Sequence, residues 1–446
     1  MRRVSARRFP DGFRWGTATS AHQVEGGNRG NDWWDFESLP GAIADGTQSG
    51  DACLHWERFD ADFALAEADG QDTHRLSFEW SRIEPERGRI DAGAVAHYHE
   101  VLASLRRRRL RPLVTLLHFT LPRWVAAAGG WEDRGTIEGF LDFVRFCARE
   151  YGDEVDWWCT INEPEVYAFR AYSSGEWPPR RRDDSAALAV MANLLEAHGC
   201  AYRVLHEEDR ADADGDGRAV VAGFAKHRPQ LEPLRPWFPP DVARAWFENR
   251  VFNEAVVRAP RTGEIRLELP GARGVRRDVP ALRGSLDYLG LNYYTRWKVR
   301  ALGGDRHVAR PGAPVTDLDW EIHPPGLGEV ALQLSGIGVP LLVTENGFAD
   351  AADAFRPRAL VETLLHLARA IERGAPVIGY LHWSLMDNFE WSDGYRGRFG
   401  LYAVDFADPQ RPRRRTRSAE LFARIVRANA IPDDVLRDVG LDPAGR

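Results

Sequence analysis

Glu163 sits in the segment Thr160-Ile161-Asn162-Glu163-Pro164, and Glu345 in Val343-Thr344-Glu345-Asn346-Gly347. Each follows a short apolar, β-rich run, so each carboxyl is expected where a buried strand gives way to a loop. Two carboxyls brought together by a fold are the minimum equipment for cleaving a glycosidic bond. One protonates the departing oxygen; the other attacks the anomeric carbon or activates water against it. Attack with retention needs the pair ~5–5.5 Å apart, whereas inversion needs roughly 6.5–9.5 Å. Spacing along the chain leaves both open.

Two further residues would make the glutamates unequal. If Arg75 lies beside Glu345, its fixed cation keeps that carboxylate ionised and assigns it the attack. Tyr294 can hold the same carboxylate in line with a hydrogen bond. Glu163 then faces a negative charge in a partly dry pocket, and both effects raise its pKa. It can therefore deliver a proton near neutral pH and take one back from water.

The elements that must position these groups follow from the apolar runs. Buried strands are expected at Phe13–Ala18, Thr73–Glu79, Leu113–His118, Trp157–Asn162, Ala219–Phe224, Leu286–Asn292, Pro340–Glu345 and Ile378–Trp383. Amphipathic helices are expected between them, among them Ile137–Tyr151, Ser185–Glu207 and Pro357–Gly374. Alternating strands and helices predict an α/β fold, a single (β/α)8 TIM barrel with inserted loops at the C-terminal face of the strands. No linker or repeat divides the chain, so residues 1–446 are expected to form one domain. Chemistry in such a barrel comes from the C-terminal strand ends. The polar residues expected there are Gln23, Arg75, His118, Asn162, Glu163, Asn292, Tyr294 and Glu345, with Trp383, Glu390 and Trp391 on the eighth strand and its loop. Their convergence on one mouth points to a site rather than to packing.

Composition narrows the classes. A net charge of −7 gives no electrostatic footprint for nucleic acid. The basic run Arg106–Arg109 reads as a solvated helix end. Nearly all positive charge is arginine; lysine occurs only at Lys226 and Lys298. Cys53, Cys147, Cys159 and Cys200 lack metal-ligand spacing and read as reduced thiols. The N-terminus carries Arg2, Arg3, Arg7 and Arg8, but no apolar segment follows, so a cytoplasmic protein without a membrane span is expected. Asp212-Ala213-Asp214-Gly215-Asp216-Gly217 imitates half a calcium loop, yet its twelfth position is Gly223, so it reads as a solvated acidic turn. His97 and His99 are two apart on a helix, face different ways and receive no role. No metal is expected.

Beyond these two segments, Phe13-Arg14-Trp15-Gly16-Thr17-Ala18, Gln23-Val24-Glu25-Gly26, Trp80-Ser81-Arg82-Ile83, Gly290-Leu291-Asn292-Tyr293-Tyr294, Trp320-Glu321-Ile322 and Trp383-Ser384-Leu385-Met386-Asp387-Asn388-Phe389-Glu390-Trp391 recur in order. With these, nearly the whole chain resembles glycoside hydrolase family 1, the β-glucosidase family. The resemblance implies a retaining, double-displacement exo-β-glycosidase that needs no metal or organic cofactor. By position, Glu163 resembles the family's acid/base and Glu345 its nucleophile, supported by Arg75, Asn292 and Tyr294. Gln23, His118, Asn162, Glu390 and Trp391 match positions that bind the non-reducing sugar. Trp383 matches the indole beneath its ring, and Trp320 an aromatic on the aglycone side. The implied substrate is a β-glucoside or oligosaccharide, with β-galactosidase or β-fucosidase side activity. β-Galactosidase or β-mannosidase specificity, transglycosylation and a sugar-binding protein without activity are the alternatives, and homo-oligomerisation stays open.

Phe119 stands where many members carry tryptophan, and Trp177-Pro178-Pro179 and Phe247–Gly263, read as loop regions, depart from the family pattern. Members acting on 6-phosphorylated sugars tend to replace the Glu390 equivalent and add a lysine–tyrosine clasp, which is not visible here. An anionic Glu390 would also repel a phosphate at C6.

Overall fold

The computed structural model describes residues 7–443. Eight parallel strands close into a barrel in chain order: β1 (Arg14–Ala18), β2 (Thr73–Ser77), β3 (Arg111–Leu117), β4 (Trp157–Asn162), β5 (Val221–His227), β6 (Leu289–Asn292), β7 (Leu341–Asn346) and β8 (Val377–Trp383). Leu113, Trp157, Val221, Tyr288, Leu342 and Leu381 pack into one cluster drawn from around the barrel. Both faces of these strands are covered, which is why they read as continuous apolar runs rather than alternating ones. The outer layer includes α1 (His55–Ala68), α2 (Ala92–Arg107), α3 (Gly135–Tyr151), α4 (Asp184–Glu208), α5 (Val256–Thr262), α6 (Pro325–Gln333), α7 (Arg356–Glu372) and α8 (Arg417–Ala428). Side-chain caps define their starts: Asp91 for α2, Asp183 for α4 and Thr416 for α8 accept from first-turn amides.

All eight expected strands form, β4 with the expected ends and the others shifted at one or both ends. The consequential shift is at β5, which runs on through Lys226 and His227 instead of stopping at Phe224. A lysine normally ends a buried strand; here an ion pair described below keeps it inside. A second correction concerns 247–263, which is helical rather than a loop. A helix from Pro239 passes through a wider turn at Asn249–Ala255 into α5 and stops at Gly263, whose φ of +76° suits glycine.

Two irregularities in the ladders fall beside the glutamates. The β4–β5 register shifts between Cys159 and Asn162, and the β7–β6 register shifts between Val343 and Glu345. Such bulges re-aim side chains at a barrel rim. A separate three-stranded sheet hangs above β5 and β6, made of Gln230–Pro233, Arg296–Val299 and His307–Val308.

The acidic turn is as expected. Asp212 accepts from the amides of Gly215, Asp216 and Gly217, while Asp156 accepts from those of Ala213 and Asp214. His97 stacks on Trp56, and His99 pairs with Glu150 and Glu154. All four cysteines are free. No helix among the described residues is long and apolar enough to cross a membrane. Arg2 and Arg3 lie outside the described residues.

Candidate active site

At the C-terminal rim of the barrel opens a cavity of about 870 Å³. His118, Asn162, Glu163, Tyr294, Trp320, Glu345, Trp383, Glu390 and Trp391 all line it. The strand ends carry most of these groups to one place, as the barrel geometry requires.

Glu345 is held from two sides. Arg75 Nη1 donates to its Oε1 at 2.5 Å, and the Tyr294 hydroxyl donates to Oε2 at 2.7 Å. Arg75 is itself fully buried and fixed, donating to Thr115 at 3.0 Å and to Asn162 Oδ1 at 2.7 Å. The next residue, Asn346, is anchored by donating its amide to the Tyr293 carbonyl, and Gly347 is demanded by packing. A Cβ there would lie 2.0 Å from the Trp383 carbonyl oxygen.

Glu163 is held differently. Its side chain accepts from Asn292 Nδ2 at 2.8 Å, and His227 Nδ1 stands 3.6 Å from the same oxygen. Thr344 fixes that amide by donating to Asn292 Oδ1 at 2.6 Å. Glu163 has φ +43°, a left-handed conformation that costs a non-glycine residue and that clusters at functional sites. Phe119 and Trp391 at the same mouth share it, at +73° and +49°.

The electrostatics follow from these contacts. Burial and then the charge of Glu345 push the Glu163 carboxyl well above the usual range. Burial raises Glu345 above the usual range as well, but Arg75, Tyr294 and Asn292 offset part of that rise, which sets it apart from Glu163. Burial, then Asp393 and Glu345, also push Glu390 well above the usual range. That qualifies the sequence reading of Glu390 as an anion. Its carboxyl accepts from Trp383 and from Gln23 Nε2.

Asn162 Oδ1 is occupied by Arg75, so its amide nitrogen faces His118 Nε2 at 3.1 Å. That contact makes His118 Nε2 an acceptor and leaves Nδ1 protonated, buried and unpartnered at the cavity wall. Burial, reinforced by the Arg75 charge, keeps the ring neutral.

Gln23, Asn292 and Arg75 stand behind the lining rather than in it. Gln23 is fully buried and spends its amide on Asn388, Phe389 and Glu390, so it positions Glu390 in this structure. At Phe119, where the family pattern has an indole, Trp177 packs 4.8 Å away and donates to Ser392 Oγ at 3.2 Å.

Residues 5–431 match Glycosyl hydrolase family 1. The chain belongs to that family. It is 30% identical to a beta-galactosidase of Pyrococcus woesei, with 95% of this chain and 98% of the relative covered. It is also 30% identical to a 6-phospho-beta-galactosidase of Lacticaseibacillus rhamnosus, covering 96% of this chain and all of that one. Among solved structures, a family 1 β-glucosidase from Thermotoga maritima superposes with a TM-score of 0.87 at 28% identity, covering 96% and 100% of the two chains.

Four residues to which the sequence reading gives no role lie at this cavity or directly beneath it. His227 and Arg170 line the cavity beside Glu163, while Glu165 and Lys226 form an ion pair beneath it. The one signal that could have found them was the lysine itself, left in a chain that otherwise uses arginine almost throughout.

Proposed function

We propose that this family 1 glycosidase is a retaining exo-β-glycosidase with β-glucosidase activity, acting through a covalent glycosyl-enzyme. The observation that carries the reading is the unequal hold on the two glutamates. Arg75 and Tyr294 clamp Glu345 as an ionised nucleophile, whereas Glu163 faces that charge from a buried, acid-raising setting. Glu163 protonates the departing oxygen while Glu345 attacks the anomeric carbon. In the second step Glu163 takes a proton from water, which displaces Glu345.

The inner end of the cavity supports an exo mode with one sugar bound. Trp383 offers an apolar face to the pyranose, while His118 Nδ1, Asn162 and Glu390 offer polar groups to its edge. A single Glu390 carboxyl serving both O4 and O6 would tolerate glucose and galactose alike. An unphosphorylated sugar is favoured because Gly397 packs against Glu390 and the chain's only lysines are Lys226, which is buried and paired, and Lys298. Four free thiols support a cytoplasmic setting.

The test is Glu345→Gly assayed on an aryl β-glucoside. Turnover is expected to vanish, and azide to restore it in part with an α-glycosyl azide as product. A β-configured azide product, or full activity in the variant, overturns the assignment. A panel of gluco-, galacto-, manno-, fuco-, xylo- and 6-phosphogluco-configured aryl β-glycosides ranked by kcat/KM decides the sugar. Glucose is expected at the head and the phosphorylated sugar at the foot.

A further inference from the structure

Beneath Glu163 lie two charges that the chemistry above does not use. Lys226 Nζ and Glu165 Oε1 are 2.8 Å apart, and both side chains are completely buried. Glu165 follows Glu163 by two residues, across Pro164. Lys226 precedes His227, whose imidazole faces Glu163. The ammonium also donates to the His227 carbonyl and sits 4.8 Å from the Phe252 ring centre. Neither charge lines the cavity. The pair therefore ties the loop after β4 to the end of β5, the two segments that hold Glu163 and His227.

Stability alone does not account for such a pair, because desolvating two charges commonly offsets what their attraction returns. Composition points the same way: lysine survives at only two positions in the chain, and this is one. The slot offers a carboxylate, a carbonyl and a ring face, which the compact three-donor ammonium meets and a planar guanidinium fork does not.

We propose that Lys226 and Glu165 form a positioning pair for the general acid, fixing Glu163 against His227 and setting the charge that Glu163 meets from below. This rests on the acid/base reading of Glu163. Glu163 also meets Glu345 on β7, Arg75 on β2 and Tyr294 beyond β6, together with Arg170 on the segment that follows it. His227 on β5 stays neutral, because burial and the nearby Lys226 and Arg170 lower it to about 3. Within this set, Glu165 raises the Glu163 carboxyl, while Lys226 and Glu163 attract. In contact, the paired charges act on Glu163 in opposite directions. Neutralising Glu165 alone removes the negative charge that raises the acid and leaves Lys226, whose ammonium burial already disfavours, without its counter-ion.

The decisive variant is Glu165→Gln, nearly isosteric and still able to accept from Lys226. Its kcat/KM pH profile is expected to lose activity on the basic side about one unit lower than wild type. Above neutral pH it should slow phenyl or alkyl glycosides more than 2,4-dinitrophenyl ones, whose departure needs no proton. The uncharged double variant E165Q/K226M should return the basic limb toward wild type. An unmoved limb in folded E165Q, with equal losses for all leaving groups, overturns the proposal. Should E165Q fail to fold, the double variant carries the test, and equal losses across leaving groups again overturn it. Wild type and variants are compared on whichever aryl β-glycoside wild type hydrolyses. A wild type inactive on every one would instead sink the proposed function.

Discussion

The inner and outer halves of the cavity are built on different principles. The inner half is made of strand ends, and nearly every polar group in it is fixed by another. Arg75 holds Glu345 and Asn162, Asn162 turns His118, and Gln23 holds Glu390. The outer half is made of segments between strands: Arg170, Trp177, Phe252, Trp297 and the loop at 304–307. Its charged side chains are long and half open to solvent, as Arg170 is at 46% exposure. On the proposed function, rigid support suits the half that would meet one sugar and one transition state. Adaptable walls would suit the half that, on the same reading, accepts the departing group.

Mutations can break that contrast. The largest effect after loss of the nucleophile is expected from Glu163→Ala, on the order of 10²–10⁴-fold in kcat/KM for poor leaving groups and far less for activated ones. Equal losses on both would remove the distinction between proton donor and scaffold. Next comes Glu390→Gln, expected to lose roughly 10- to 100-fold on glucosides, the scale of leaving a buried hydrogen-bond partner unsatisfied. Kinetics on matched gluco and galacto substrates would check it.

Tyr294→Phe should cost somewhat less and also move the pH profile. The hydroxyl stabilises ionised Glu345, so removing it raises the nucleophile's pKa and shifts the acidic limb of kcat/KM upward. The basic limb, which reports Glu163, should stay nearly in place. The smallest change is expected from Arg170→Ala. It should alter KM by less than about tenfold, and only as a function of the leaving group. A large uniform loss there would show the outer half to be as tightly built as the inner.

Legibility in the sequence follows the same division. Apolar runs buried on both faces announce themselves, and the polar residues closing them mark the inner half; Trp157–Asn162 coincided with β4 at both ends. The outer half is set by helical insertions whose composition resembles that of any surface segment, and 247–263 was misread as loop for that reason. Lys226 was missed because a charged residue looks like the end of a buried strand unless its partner, 61 positions away, is known. The bulges beside Glu163 and Glu345 have no sequence signature at all, being products of how neighbouring strands twist past one another.

The small three-stranded sheet above β5 and β6 carries one more implication. It supplies Leu231, Trp297 and His307 to the outer wall without lending a strand to the barrel. Selection can therefore rewrite this sheet residue by residue while the catalytic machinery stays untouched. A lineage can change which molecule it releases sugar from without ever passing through an inactive ancestor.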